Sequence, residues 1–188
     1  MERVAISVLL QWKQSKHRKP LILKGVRQVG KTWILNEFGK QYYENIAYFN
    51  FDEQEELAEF FATTKDVKRI LQNLTMVHGS PILPEKTLII FDEIQECNKA
   101  LNTLKYFYEN APEYHIACAG SLLGITLSKL ASFPVGKVDF LTIHPMTFTE
   151  FLLANGDKNL VEYMKGLEAI EPIPEIFFNP LQEKLKMY

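Results

Sequence analysis

Apolar positions along this chain change spacing in a regular alternation, three to four residues apart, then adjacent, then three to four apart again. Val4, Val8, Leu9 and Trp12 recur at helical spacing, which predicts a helix over residues 2–14. The basic residues 13–19 close it ahead of Pro20 and read as a solvated helix end. Leu21-Ile-Leu-Lys24 is a short apolar run stopped by Gly25, so a buried strand is expected there. Ile34, Leu35, Phe38 and Tyr42 then share one helical face, and residues 46–51 alternate and are rich in aromatics, as a strand would be. Asp52 is expected to cap a helix that has Glu55 three residues on and carries Leu57, Phe60 and Phe61. Val67, Ile70, Leu71 and Leu74 predict another helix over residues 66–78.

The second half continues the alternation. Thr87-Leu-Ile-Ile-Phe91 is unbroken and apolar, which suits a central strand covered on both faces. Leu101, Leu104, Phe107 and Tyr108 mark a helix closed near Pro112; residues 115–120 and 138–143 read as a fourth and a fifth strand. Strands alternating with helices predict an α/β fold with a parallel sheet. Beyond it, residues 147–154 read as a short helix. Two further helical fragments are split by Glu171-Pro-Ile-Pro174, the last from about Pro180 to Tyr188, without a C-cap signal. That ending reads as a truncation, and the expected division is residues 1–155 followed by residues 156–188 as part of a helical lid or linker.

Composition narrows the classes. With 188 residues, 47% hydrophobic and 23% charged, the chain can bury a core and is not a disordered or repetitive sequence. Its net charge of −2 supplies no overall field for nucleic acid or anionic lipid. No run approaches the roughly 20 apolar residues of a membrane span. Cys97 and Cys118 are too few for a disulfide framework, and a cytoplasmic location is expected. The histidines His17, His78, His115 and His144 show no metal-ligand spacing.

Chemistry enters at Gly25-Val-Arg-Gln-Val-Gly30-Lys31-Thr32, which fits G-x-x-x-x-G-K-[ST] between a predicted strand and a predicted helix. Glycines permit a loop tight enough for backbone N–H groups to wrap a phosphate chain. Gly25, Val26, Arg27, Gln28, Val29, Gly30, Lys31, Thr32 and Trp33 are therefore the expected nucleotide-binding residues. Lys31 is expected to face solvent and the β- and γ-phosphates, and Thr32 to offer its hydroxyl to Mg²⁺. Leu88-Ile-Ile-Phe-Asp92-Glu93 places two carboxylates at a strand's C-terminal end, where open α/β sheets bind ligands. Asp92 would hold the Mg²⁺ shell with Thr32, and Glu93 would polarise the attacking water. A plain helix N-terminus is the alternative for that pair. Ser121, after the fourth strand, is either a γ-phosphate sensor or an N-cap, and the two roles are compatible.

This arrangement resembles the AAA+ branch of the P-loop ATPases. It is closer still to a prokaryotic AAA+ family whose members add a C-terminal domain of unknown function. The residues that carry it are Lys19-Pro-Leu-Ile-Leu-Lys-Gly-Val-Arg-Gln-Val-Gly-Lys-Thr32, Phe91-Asp-Glu-Ile-Gln95, Ala119-Gly-Ser-Leu-Leu-Gly124, Phe133-Pro-Val-Gly-Lys-Val138 and Pro145-Met-Thr-Phe-Thr-Glu-Phe151. The resemblance implies a three-layer αβα P-loop sandwich with strand order 5-1-4-3-2, Mg²⁺-dependent ATP binding, and hydrolysis in which Lys31, Glu93 and Ser121 take catalytic roles. It also implies a homo-oligomer through the full-length protein. Two departures stand out. Where the resemblance calls for an arginine before the fifth strand, the sequence has Lys137, which lacks the planar fork of a guanidinium; and Gln95 sits in the motif without an assigned role. A nucleotide-dependent switch with little turnover is the alternative function.

Overall fold

A computed structural model describes residues 4–120, 136–167 and 172–188. They cluster into two compact units: one within residues 5–144, and a smaller one whose described part is residue 4 with residues 145–167 and 172–188.

The larger unit is a parallel five-stranded sheet with β1 at Leu21–Lys24, β2 at Asn45–Asn50, β3 at Thr87–Asp92, β4 at His115–Ala119 and β5 at Asp139–Thr142. The strands lie in the order β2-β3-β4-β1-β5, which is the implied order read from the other edge. Side chains alternate across each strand, and the alternation sorts the core into two clusters. Leu21, Leu23, Leu88, Ile90, Ala117 and Ala119 pack with α1 (Val4–Gln14) and α2 (Lys31–Tyr42). Ile22, Ile89, Phe91, Ile116 and Cys118 pack with α3 (Leu57–Thr63), α4 (Val67–His78) and α5 (Asn98–Asn110). Three layers result. Every residue of β3 is buried, as its unbroken apolar run requires, whereas edge strand β5 alternates between half-buried and exposed.

Local chemistry sets the boundaries. Asp66 caps α4 by accepting from the Lys68 amide at 3.0 Å, and Gly79 ends it in the left-handed conformation. The expected cap at Asp52 does not form. Asn50 takes the chain into a turn instead: its side chain accepts from the Asp52 amide at 3.0 Å, and its carbonyl from the Gln54 amide at 3.0 Å, so α3 starts only at Leu57. The apolar face of α1 is also rotated from the expected one. Leu9 and Trp12 are buried while Val4 and Val8 are exposed, because Ala5, Leu9 and Trp12 form the inward row at i, i+4 and i+7.

In the smaller unit, α6 (Phe148–Ala154) opens on a full capping box between Thr147 and Glu150. It is followed by α7 (Lys158–Lys165) and α8 (Glu175–Met187). The latter runs through Pro180 rather than starting there. The missing N–H forfeits a single intrahelical bond, and two contacts to α7 and its cap hold the helix. Tyr163 stacks on Phe177 with ring centroids 4.0 Å apart, and Lys184 pairs with Asp157 at 2.8 Å.

Candidate functional site

β1 leaves the sheet at Lys24, whose carbonyl accepts from the Ile143 amide at 2.7 Å. That bond brings the chain after β5 against Gly25. A Cβ on Gly25 would collide with the Ile143 carbonyl oxygen and lie 3.2 Å from Val29 Cγ2, so glycine is required by close backbone approach. Gln28 and Gly30 then turn the loop back with φ of 63° and 84°, and Val29 anchors it in the core shared with α1 and α2. Gly30 is the N-cap of α2 and supplies no side-chain cap. The first-turn amides of α2 have no intrahelical acceptor and give the loop the positive end of a helix dipole.

Lys31 does not face solvent as expected; it is buried, and its Nζ donates to the carbonyls of Gly25 at 3.0 Å and Val26 at 2.8 Å. The ammonium thus sits in the curl of its own loop. Burial lowers its pKa from the usual lysine value, against the opposing fields of Glu93 and Asp92.

β3 brings up the carboxylates. Leu88, Ile90 and Asp92 share the face that packs on α2, so Asp92 meets the first turn of that helix. Thr32 Oγ1 donates to Asp92 Oδ2 at 2.8 Å, and the same oxygen accepts from the Tyr48 hydroxyl at 2.8 Å. Oδ1 accepts from the Glu93 amide at 3.0 Å. Asp92 is 4% exposed, so these donors offset its loss of water. Burial, and then its bond to Asp92, push the Tyr48 phenol well above the ordinary tyrosine value. Glu93 turns out of the strand in the left-handed region, at φ 46°, and its Oε2 accepts from Gln95 Nε2.

Arg27, Gln28, Gly30, Lys31, Thr32, Trp33, Asp52, Glu93, Gln95 and Glu96 line one open cleft of about 550 Å³. The cleft therefore takes in Thr32, Glu93 and most of the loop; Gly25 and Asp92 are not among its lining residues, and Asp92 meets the site through Thr32. Val26, 65% exposed, is not among the lining residues, and Val29 serves the core. Ser121 lies outside the described residues. Lys137 pairs with Glu109 at 3.0 Å and lies over the Tyr108 ring. The sequence does not mark Tyr48, because an aromatic in a strand ordinarily reads as core; its register opposite Ile90, two residues short of Asp92, is not legible without the pairing. Gln95 stands in the Asp-Glu-Ile-Gln motif, and the structure sets it against Glu93.

Among the described residues no group of three or more His, Cys, Asp or Glu is placed to hold a metal ion. The oxygen pair Thr32 Oγ1 and Asp92 fits Mg²⁺, which takes one or two protein ligands and fills its octahedron with phosphate oxygens and water.

A family model described as an AAA domain matches residues 17–152. A curated relative, an uncharacterized protein of Haemophilus influenzae, is 27% identical over 201 residues, covering 94% of this chain and 47% of its own length. The chain thus spans about half the length of that relative. Among solved structures, a Thermotoga maritima RuvB variant aligns at 17% identity with a TM-score of 0.48, over 86% of this chain and 49% of that one. AMPPCP-bound DnaA from Aquifex aeolicus aligns at 17% identity with a TM-score of 0.47, over 98% and 60%.

Proposed function

The chain belongs to the AAA domain family, and on that premise we propose that it binds ATP with Mg²⁺ in the loop of residues 25–33 and hydrolyses the γ-phosphate. The observation that carries this reading is the Thr32–Asp92 hydrogen bond, which joins the phosphate-loop candidate to the carboxylate strand end at 2.8 Å. The loop's amides and the first turn of α2 bind the phosphate chain. Lys31 exchanges the Gly25 and Val26 carbonyls for phosphate oxygens. Thr32 and Asp92 hold Mg²⁺, which neutralises phosphate charge when bound. Glu93 accepts the proton of the attacking water, and Ser121 senses the γ-phosphate. Arg27 and Trp33, both lining the cleft, reach the nucleotide from the loop's outer side.

Adenine is favoured over guanine because Asn98-Lys99 is followed by Ala100-Leu101 and not by the Asp of an Asn-Lys-x-Asp motif. Two buried free thiols support a cytoplasmic location, and no helix among the described residues is long and apolar enough to cross a membrane. Assembly into a homo-oligomer is part of the same proposal.

A nucleotide-dependent switch with little turnover is the second reading, favoured by the bond through which Gln95 restrains the Glu93 carboxylate. Phosphate release by the parent and by Glu93→Gln separates the two. An ATPase loses about 10²- to 10⁴-fold in rate with affinity kept; a switch shows the same slow rate in both proteins.

A further inference from the structure

We propose that Tyr48 is a positioning residue for the metal half of the nucleotide site: its hydroxyl fixes the Asp92 carboxylate in the one orientation that serves Mg²⁺. The inference rests on the proposed nucleotide reading. An ionised carboxylate offers about four lone-pair positions. In Asp92 two on Oδ2 are taken, by Thr32 Oγ1 and Tyr48 OH, each at 2.8 Å, and one on Oδ1 is taken by the Glu93 amide at 3.0 Å. A single acceptor position remains, on Oδ1.

Tyr48 is the donor whose loss leaves the backbone and the loop untouched. It reaches Asp92 diagonally, because Tyr48 pairs with Ile90 and Asn50 with Asp92, and both side chains stand on the face toward α2. Phenylalanine would fill the same strand position with the same ring. What the hydroxyl adds is the second donor on Oδ2. Without it the carboxylate can rotate to offer Oδ2 elsewhere, and Thr32 loses a fixed acceptor. Thr32 lines the cleft, and its hydroxyl, while it donates to Asp92, keeps its lone pairs free of that bond. Removing a partner that orients a metal ligand lowers metal affinity by roughly 10- to 100-fold.

The experiment is a titration of a fluorescent ATP analogue at Mg²⁺ concentrations from chelated to millimolar, on the parent and on Tyr48→Phe, with melting of both proteins measured without nucleotide. Tyr48→Phe should bind the metal-free nucleotide within about twofold of the parent and stay folded, with a melting temperature lowered by no more than about 10 °C. The Mg²⁺ concentration that tightens binding should rise about tenfold. In an Asp92→Asn background, Tyr48→Phe should shift nothing further, since the two act through one carboxylate. An unchanged Mg²⁺ response in Tyr48→Phe overturns the proposal and leaves the nucleotide reading standing, as does an equal loss of affinity with and without metal. A parent that binds no nucleotide at any Mg²⁺ concentration overturns both. Should the phenylalanine variant fail to fold, Tyr48→Met, which also lacks the hydroxyl, replaces it: a Mg²⁺ response shifted about tenfold at metal-free affinity within about twofold supports the proposal, and an unchanged Mg²⁺ response or an equal loss of metal-free affinity overturns it.

Discussion

The hydroxyl of Thr32 donates to Asp92 Oδ2 at 2.8 Å across 60 residues of sequence. One residue opens α2 and the other ends β3, so this bond is where the loop after the first strand is registered against the sheet. Removing the hydroxyl with Thr32→Val leaves a 4%-exposed carboxylate with one donor fewer. A hydrogen bond to a charged group contributes about 1.5–3 kcal/mol. Thr32→Val should lower stability by that order in the absence of nucleotide, and Thr32→Ser should recover it. Urea unfolding of the three proteins checks this.

Gly25 and Gly30 belong to one motif and should fail differently. At Gly25 a Cβ meets the fixed Ile143 carbonyl, whereas at Gly30, with φ 84°, nothing lies within 4 Å of the added atom. Gly25→Ala should cost about 3 kcal/mol or more through strain and overpacking. Gly30→Ala should cost about 1–2 kcal/mol, the left-handed penalty alone, yet place a methyl group in the cleft. Unfolding midpoints should separate the two variants, and nucleotide titration should show both impaired.

His115 sets a pH dependence for the larger unit. It is buried at the start of β4, with Nδ1 2.7 Å from the Tyr43 hydroxyl and edge-on contacts to the rings of Tyr43 and Trp12. Burial, with Arg18 and Lys13 adding to it, pulls its pKa down from 6.5 to about 3. The folded state therefore keeps it neutral while the unfolded state binds a proton below about 6.5. Its contribution is complete above pH 6.5 and declines as the pH falls toward 3. Unfolding midpoints should drop between pH 7.5 and pH 5, and His115→Gln should flatten that drop.

How much of this was legible in the sequence depends on the range of the forces involved. The run of residues 87–91 ends in Asp92-Glu93, and Gly25 to Thr32 lies between a strand and a helix; both are local patterns, and the structure joins them through the Thr32–Asp92 bond. What stayed hidden came from distant partners. Lys31 reads as a solvent-facing cation until the loop is seen to curl around it. Tyr48 reads as core until strand register sets it beside Asp92. The expected cap at Asp52 lost to Asn50, whose side-chain and backbone bonds compete for the same turn. At α1, four apolar residues fitted two helical rows equally well, and only the sheet face selects the row through Leu9 and Trp12.

The most direct test is calorimetric titration of Mg·ATP into the parent and into Lys31→Ala. Lys31 bridges the Gly25 and Val26 carbonyls, so its loss should lower nucleotide-free stability by about 1–3 kcal/mol while the protein stays folded. Saturable one-to-one binding by the parent is expected, with affinity reduced at least tenfold in Lys31→Ala and with Mg·ATP raising the melting temperature of the parent more than that of the variant. A folded parent that takes up no Mg·ATP, or a Lys31→Ala variant that binds it as tightly as the parent does, would contradict a nucleotide site at residues 25–33.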